Sequence, residues 1–332
     1  MTNALTIDIE DYFQVQAFSH VVRYEDWDKY ESRVERNTHR LLEILSGQGR
    51  TLYGEHRTVN PGKVTATFFC LGWIAERYPG LIKEIQAQGH EIACHGYAHR
   101  LIYQQTREEF KEDLHRAKAI LEEIIGRKVI GYRAPSYSIT NQSLWAFEVL
   151  VEEGFKYDSS IFPIRHDFYG MPEAPRFPFL VSLNGTGTPE FKQLSFCNID
   201  QKTPNFELRT SNYIIEFPLT TSPFGRFNLP IAGGGYFRLF PYFLVSQRLK
   251  RINQVESQPF VFYLHPWEVD PDQPKFKKAG LKSRFRHYHN LTQTEGRLKR
   301  LLKDFNFSPL KDLLPISAAI SAPRGQGATR DV

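Results

Sequence analysis

Cysteine is scarce in this chain. There are three in 332 residues (Cys70, Cys94 and Cys197), an odd number that excludes a disulfide framework as the source of stability. Cys70 and Cys94 each close a short apolar run, where cysteine reads as a small buried hydrophobe and a reducing compartment is expected. Long hydrophobic runs are missing too, which argues against a membrane-spanning helix. The opening residues, Met1 to Asp8, carry no basic stretch followed by an apolar one and pass straight into a strand-like pattern. Together these absences predict a cytoplasmic protein. No internal repeat and no nucleic-acid recognition motif is present, so nucleic acid is not an expected partner.

Acidic residues are nearly absent from one stretch. Lys275 to Lys303 holds ten Lys/Arg against a single acid, Glu295, a local balance of +9 in a chain whose net charge is only +5. A solvated basic face is the simple reading. The alternative is peripheral contact with an anionic membrane through residues 275–303.

Aromatic residues are abundant, with 26 Phe and 16 Tyr in a chain that is 41% hydrophobic. That is ample for a core and suits carbohydrate stacking. Strand-like runs at Ala4–Ile9, Val64–Cys70, the segment ending at Cys94, Val129–Arg133 and Lys156–Asp158 alternate with helical patterns. Asn37 is placed as the cap of a helix Thr38–Ser46; Pro79 opens one ending at Gly89; Thr106 and Glu109 form a capping box for a helix to about Ile125. Thr140 opens a helix ending at Gly154. Residues 50–62 read as an exposed loop and 162–212 as a long irregular insertion. Strand Tyr213–Phe217, the Gly233–Arg238 run, helix Pro241–Asn253, strand Phe260–Leu264 and a basic helix Thr294–Phe305 complete the order. Such alternation predicts an α/β fold with a parallel sheet, whose ligands collect at the carboxyl ends of the strands.

Polar clusters fall at those ends: Asp8/Glu10/Asp11, His95/His99, Arg133 and His265. Singly each has a bland explanation, as strand-end cap, ion-pair partner or satisfied core histidine. Jointly they supply what metal-assisted amide hydrolysis needs: a carboxylate and two imidazoles for an ion, a base, a cation to hold the base, and an acid. Glu10 and Asp11 compete for the carboxylate ligand position. Side chains alternate along a strand, so Glu10 shares the face of Asp8, and Asp11 joins it only if the chain already turns at Ile9 or Glu10.

The ordered motifs Thr6-Ile-Asp-Ile-Glu-Asp11, His95-Gly-Tyr-Ala-His99, Arg133-Ala-Pro-Ser-Tyr137 and Leu264-His265 resemble those of polysaccharide deacetylases, the NodB-homology, family 4 carbohydrate esterases. More narrowly, Asp8-Ile-Glu-Asp-Tyr-Phe13, Tyr157-Asp-Ser-Ser-Ile-Phe-Pro163, Gly233–Arg238, Tyr263-Leu-His-Pro-Trp-Glu268 and Ser283-Arg-Phe-Arg-His-Tyr288 resemble the exosortase-associated branch found with exopolysaccharide genes. The resemblance covers roughly residues 4–307. It departs from the usual Asp-Asp pair, here Asp8-Ile9-Glu10-Asp11, and its loops 50–62 and 184–212 are longer than is usual.

The resemblance implies a distorted (β/α) barrel of about seven parallel strands, with residues 1–307 as the catalytic domain, about 160–307 its family-specific part, and 308–332 a disordered tail. It implies a divalent metal, Zn²⁺ first, on His95, His99 and one acid. Asp8 would be the base, Arg133 its partner and His265 the acid. The carboxylate that orients His265 would be Asp158, Asp167 or Glu268, and Tyr97, Pro135, Tyr137, Tyr236 and Trp267 would face the sugar. The implied partner is an N-acetylated polysaccharide or lipid-linked oligosaccharide at the inner face of the membrane. Hydrolysis of a small cyclic amide, as in allantoinase-like relatives, and a non-catalytic glycan-binding module are the competing readings.

Overall fold

Residues 1–47, 62–166, 168–183, 189–194 and 212–314 are described by the computed structural model. The first half alternates as the sequence predicts: β1 (Thr2–Ile9), α1 (Val34–Leu45), β2 (Thr67–Cys70), α2 (Gly72–Arg77), α3 (Pro79–Ala87), β3 (Glu91–Cys94), α4 (Arg107–Ile125), β4 (Gly131–Tyr132), α5 (Ala146–Glu152) and β5 (Tyr157–Asp158). There follow β6 (Phe179–Ser182), β7 (Glu190–Gln193), β8 (Tyr213–Glu216), β9 (Thr221–Phe224), β10 (Phe227–Pro230), α6 (Gly234–Leu239), α7 (Tyr242–Gln254), β11 (Val261–Leu264), α8 (Leu281–Tyr288), α9 (Leu291–Asp304) and β12 (Asn306–Ser308).

The strands β11-β1-β2-β3-β4-β5-β8 lie side by side and all run parallel. They are short and buried on both faces, so they read as unbroken apolar runs such as Thr67-Phe-Phe-Cys70. Helices cover the outside: α4 turns Phe110, Leu114, Ala117 and Leu121 inwards, and its Thr106/Glu109 capping box is formed as predicted. Between β8 and β11 single hydrogen bonds replace a ladder. The Val261 N–H donates to Thr220 Oγ1 (2.7 Å) and the Tyr263 N–H to the Ala232 carbonyl (3.1 Å). The sheet therefore curls towards a barrel without a continuous seam among the described residues. Gly233 makes that approach possible: its φ is +139°, and a Cβ there would lie 2.1 Å from the Tyr263 carbonyl oxygen.

Four expectations need correction. Helix α1 begins three residues before Asn37; the Asp11 carboxylate accepts the Arg33 and Val34 N–H groups, so a remote acid caps the helix and Asn37 instead donates to Asp270. The helix expected from Thr140 starts only at Ala146, because Thr140 and Ser143 hydrogen-bond each other in a turn. The insertion after Phe162 is not wholly irregular, since β6 pairs antiparallel with both β7 and β8. The tail does not begin at 308: β12 pairs with Thr2–Ala4, Leu310 is buried, and the Leu310 and Lys311 N–H groups bond Thr67 and Glu91. Residues 315–332, Cys197, Asp167 and most of loops 50–62 and 184–212 lie outside the described residues.

Candidate metal and catalytic site

Parallel register brings the chemistry to one end of the sheet. Ile7 pairs with Leu264, Ile9 with Cys70, Cys70 with Cys94 and Cys94 with Tyr132, so the residues that follow (Asp8 and Glu10, His95, Arg133, His265) emerge side by side. Ligand atoms of Glu10, His95 and His99 lie within 4.8 Å of one another, and all three residues are buried. His99 Nε2 is 2.8 Å from Glu10 Oε2, yet that oxygen has no aligned hydrogen-bond donor. A buried carboxylate oxygen without a donor, facing two imidazoles, fits a cation. His95 Nδ1 is 2.7 Å from the Arg133 carbonyl oxygen. Donation of an Nδ1–H there leaves the Nε2 lone pair for an ion.

Protonation agrees with a ligand set. Burial, with His99 second, pushes the His95 pKa down to about 3. Burial opposes ionisation of Glu10, but His99, His265 and His95 outweigh it and hold its pKa below the usual range. An ionised carboxylate beside a neutral imidazole is the state in which both can ligate.

Asp11 is a correction to the ligand list. It points the other way, taking the Tyr12, Arg33 and Val34 N–H groups and the Ser32 hydroxyl. Strand alternation thus separates the two carboxylates as their positions require.

Asp8 is gripped by Arg133, whose Nη1 lies 2.7 Å from Asp8 Oδ1 and 2.8 Å from Thr6 Oγ1. The guanidinium is wholly buried and spends its remaining donors on Ser159, at the carbonyl (2.9 Å) and the hydroxyl (2.8 Å). Such complete pairing is what a buried arginine demands. The Tyr137 hydroxyl sits 3.5 Å from Asp8 Oδ2. The Tyr137 N–H donates to the Ala134 carbonyl (3.0 Å). Backbone strain gathers here: His99, Ser136 and Tyr137 have φ of +53°, +51° and +55°, a conformation that costs a non-glycine residue about 1–2 kcal/mol.

Opposite Asp8 stands His265, its Nε2 3.8 Å from Asp8 Oδ2 and 3.3 Å from Glu10 Oε1. Glu268 is the carboxylate that orients it, Oε1 lying 2.8 Å from His265 Nδ1. Asp158, the other described candidate, accepts from Ser160 on its own strand end and shares a buried pair with Glu216 instead. Glu268 Oε2 accepts from Arg238 Nε (2.8 Å), and Arg238 also bonds the carbonyls of Arg286, His287 and His289. Burial disfavours the His265 cation, but Glu10, Glu268 and Asp8 raise its pKa to about 9.

Among the sugar-facing candidates, Tyr137 is buried with its hydroxyl beside Asp8, Pro135 is buried two residues before it, and Tyr236 is half-buried next to the Gly233 approach. Trp267 is not a free platform: His265 stacks on it (5.1 Å) and so does His287 (4.0 Å). Tyr97 is not one either, because Arg116 covers its ring (3.6 Å) and Glu76 takes its hydroxyl. Sequence reasoning missed Arg238 and Asp113. Asp113 accepts the Tyr97 and Ala98 N–H groups and ties down the loop between the histidines; its signal was an acid three residues after Phe110, on the edge of the inner stripe of α4. Gly96, at φ +74°, lets that loop turn, and a Cβ there would meet Asp113 at 3.0 Å.

Residues 57–151, which carry His95, His99 and Arg133, match the polysaccharide deacetylase family. The chain carries a polysaccharide deacetylase domain. Residues 194–315, which bring His265 and Glu268 to that domain, match a domain of unknown function (DUF3473). The chain is similar to a peptidoglycan deacetylase of Helicobacter pylori, 31% identical over 31% of this chain and 33% of that protein. It is also similar to a chitooligosaccharide deacetylase of Azorhizobium caulinodans, 31% identical over 27% of this chain and 48% of the relative. It spans about a third to a half of the length of the curated relatives it matches. In fold the chain resembles a Mycobacterium smegmatis structure named "putative polysaccharide deacetylase" (TM-score 0.53, 17% identity, 99% and 93% of the two chains). It resembles an allantoinase nearly as well (0.51, 14%, 95% and 88%).

Proposed function

We propose that this chain removes N-acetyl groups from hexosamine units of a polysaccharide. The observation that carries the reading is the buried Asp8–Arg133 pair standing 3.8 Å across from His265, with Glu10, His95 and His99 alongside. A divalent ion held by Glu10, His95 and His99 would act as a Lewis acid on the amide carbonyl. Asp8 takes the proton of the attacking water as the new C–O bond forms, and Arg133, bonded to its Oδ1, holds the carboxylate in place. His265, fixed by Glu268, gives a proton from Nε2 to the amide nitrogen as the C–N bond breaks. Acetate and a free amine result. Two imidazoles and one carboxylate suit Zn²⁺, and other divalent ions use the same donors.

The resemblance to the exosortase-associated branch supports a place in exopolysaccharide biosynthesis, with a lipid-linked oligosaccharide as one form of substrate. No described helix is long and apolar enough to cross a membrane. Peripheral contact has support of another kind. On α8, Leu281 and Phe285 are 81% and 55% exposed, one turn apart, among Lys277, Lys278, Lys282, Arg284 and Arg286. The same helix carries His287, which stacks on Trp267, so a surface bound there would lie close to the candidate site.

The test is acetate release from N-acetylglucosamine oligomers with defined divalent ions, with allantoin hydrolysis as a parallel arm. Asp8→Asn and His265→Ala should each retain metal and lose about 10²–10⁴ in rate. Turnover of allantoin alone, or near-wild-type rates in either variant, would overturn the assignment.

A further inference from the structure

A half-open cleft of about 440 Å³ adjoins the candidate site, with His99 in its wall. Its other lining residues come from the segment after β1, among them Gln14, Arg23, Tyr24 and Trp27, and from Arg100 in the loop after β3. Its chemistry differs from that of the site beside it. No carboxylate is among the lining residues, whereas two guanidinium groups are. Arg23 is exposed and makes no ion pair among the described residues, and Arg100 has only a 3.3 Å contact to Glu109. Gln14 is 3% exposed and its Nε2 has no hydrogen-bond acceptor, although its Oε1 takes the Asp11 N–H. Tyr24 stands 43% exposed, braced edge-on against Trp27 at 4.9 Å.

We infer that this cleft is a subsite for a sugar unit of the polymer that carries an anionic group, a carboxylate or a phosphate. The inference rests on the deacetylase reading only for the word polymer. An unpaired guanidinium favours carboxylate or phosphate oxygens, which it can take two at a time. A buried amide N–H without an acceptor calls for a ligand oxygen. A braced, half-exposed tyrosine offers a flat face to a pyranose ring. A neutral glycan would leave Arg23 without a partner, and a small cyclic amide would not reach beyond His99 to fill the cleft. The anion has two sources in such molecules: a hexuronic acid within the chain, or the phosphate of a lipid-linked reducing end.

Calorimetric titration of the whole protein separates the cases. The probes are a neutral N-acetylglucosamine tetramer, a tetramer alternating glucuronate with N-acetylglucosamine, and N-acetylglucosamine 1-phosphate set against free N-acetylglucosamine. An anionic probe should bind on the order of tenfold tighter than its neutral counterpart, as one charge-assisted contact provides. Preference for the glucuronate tetramer assigns the anion to the chain, and preference for the phosphate alone assigns it to the reducing end. Arg23→Ala should abolish the preference by lowering affinity for the anionic probe to that for its neutral counterpart, and Arg23→Glu should reverse it. Lys83→Ala, which removes an equal charge on an exposed residue outside the cleft, should change nothing. Equal affinity for charged and neutral probes, or a preference that survives Arg23→Ala, overturns the subsite. The titrations are run on the Asp8→Asn protein, which lacks the proposed base and so reads binding without turnover; a failure of acetate release in the wild type would fall on the proposed activity and leave this result standing.

Discussion

Asp8 and Glu10 leave the same strand two residues apart and are claimed by different partners. Arg133 lies 2.7 Å from Asp8 Oδ1, and His99 lies 2.8 Å from Glu10 Oε2. One carboxylate is neutralised by a permanent cation, while the other faces imidazoles and its Oε2 lacks an aligned donor. The two should therefore respond differently to substitution.

Metal binding should follow Glu10 and not Asp11. Glu10→Gln is expected to weaken divalent-ion affinity by more than about tenfold, or ~1.4 kcal/mol. Asp11→Asn should retain the ion but cost about 1–3 kcal/mol of stability, since an amide cannot accept all the N–H groups that cap α1. Metal content and denaturant melts of the same samples check both. Affinity lost only in Asp11→Asn would reassign the ligand.

Glu268 and Arg238 should behave as one unit. Glu268→Gln strands a buried guanidinium and is expected to cost about 3–5 kcal/mol. Adding Arg238→Met should recover part of that loss. In the single variant His265 should titrate below the value of about 9 that Glu10, Glu268 and Asp8 maintain against burial. NMR titration of metal-free protein reads this directly. An unchanged His265 titration, or additive losses, would show that Glu268 does not govern the ring.

The Asp158–Glu216 pair predicts a pH dependence of opposite sign to acid denaturation. Burial drives both carboxyls up, Asp158 to about 6. The folded state therefore keeps a proton that the unfolded chain has released above its ordinary value of 3.8. The pair's contribution is full below that value and is lost as pH rises through about 6. Glu216→Gln should remove the Glu216 share of this fall and leave the share that burial of Asp158 causes, visible in stability curves between pH 4 and 7. Parallel curves for variant and wild type would refute a shared proton.

Anionic vesicles should recruit the protein at low salt, each nearby Lys or Arg contributing ~1 kcal/mol before screening. Leu281→Ser with Phe285→Ser should lower recovery in flotation by removing the apolar pair. Equal recovery with neutral vesicles would rule out electrostatic attraction to the surface.

The site's inventory was legible because strand ends are punctuated in sequence: apolar runs stop at Asp8, His95, Arg133 and His265, and parallel register does the rest. Alternation along β1 also separated Glu10 from Asp11. What was hidden depends on partners far along the chain. Asp11 caps α1 from twenty-two residues before its first bonded amide, Arg33, and Arg238 reaches Glu268 across thirty. Trp267 and Tyr97 looked available because a sequence does not reveal that His287 and Arg116 occupy their faces.

The position of β1 has a consequence for biosynthesis. It pairs with β2 at residues 67–70, but its other neighbours, β11 and β12, are residues 261–264 and 306–308. At ribosomal rates of about 5–20 residues per second, on the order of tens of seconds separate the two events. Through that interval the strand bearing Asp8 and Glu10 has one open edge, the kind of edge that invites pairing with another chain. The edge beside Asp8 closes when β11 emerges, so a chain stopped before residue 261 keeps it exposed, and one stopped before residue 306 leaves open only the Thr2–Ala4 end.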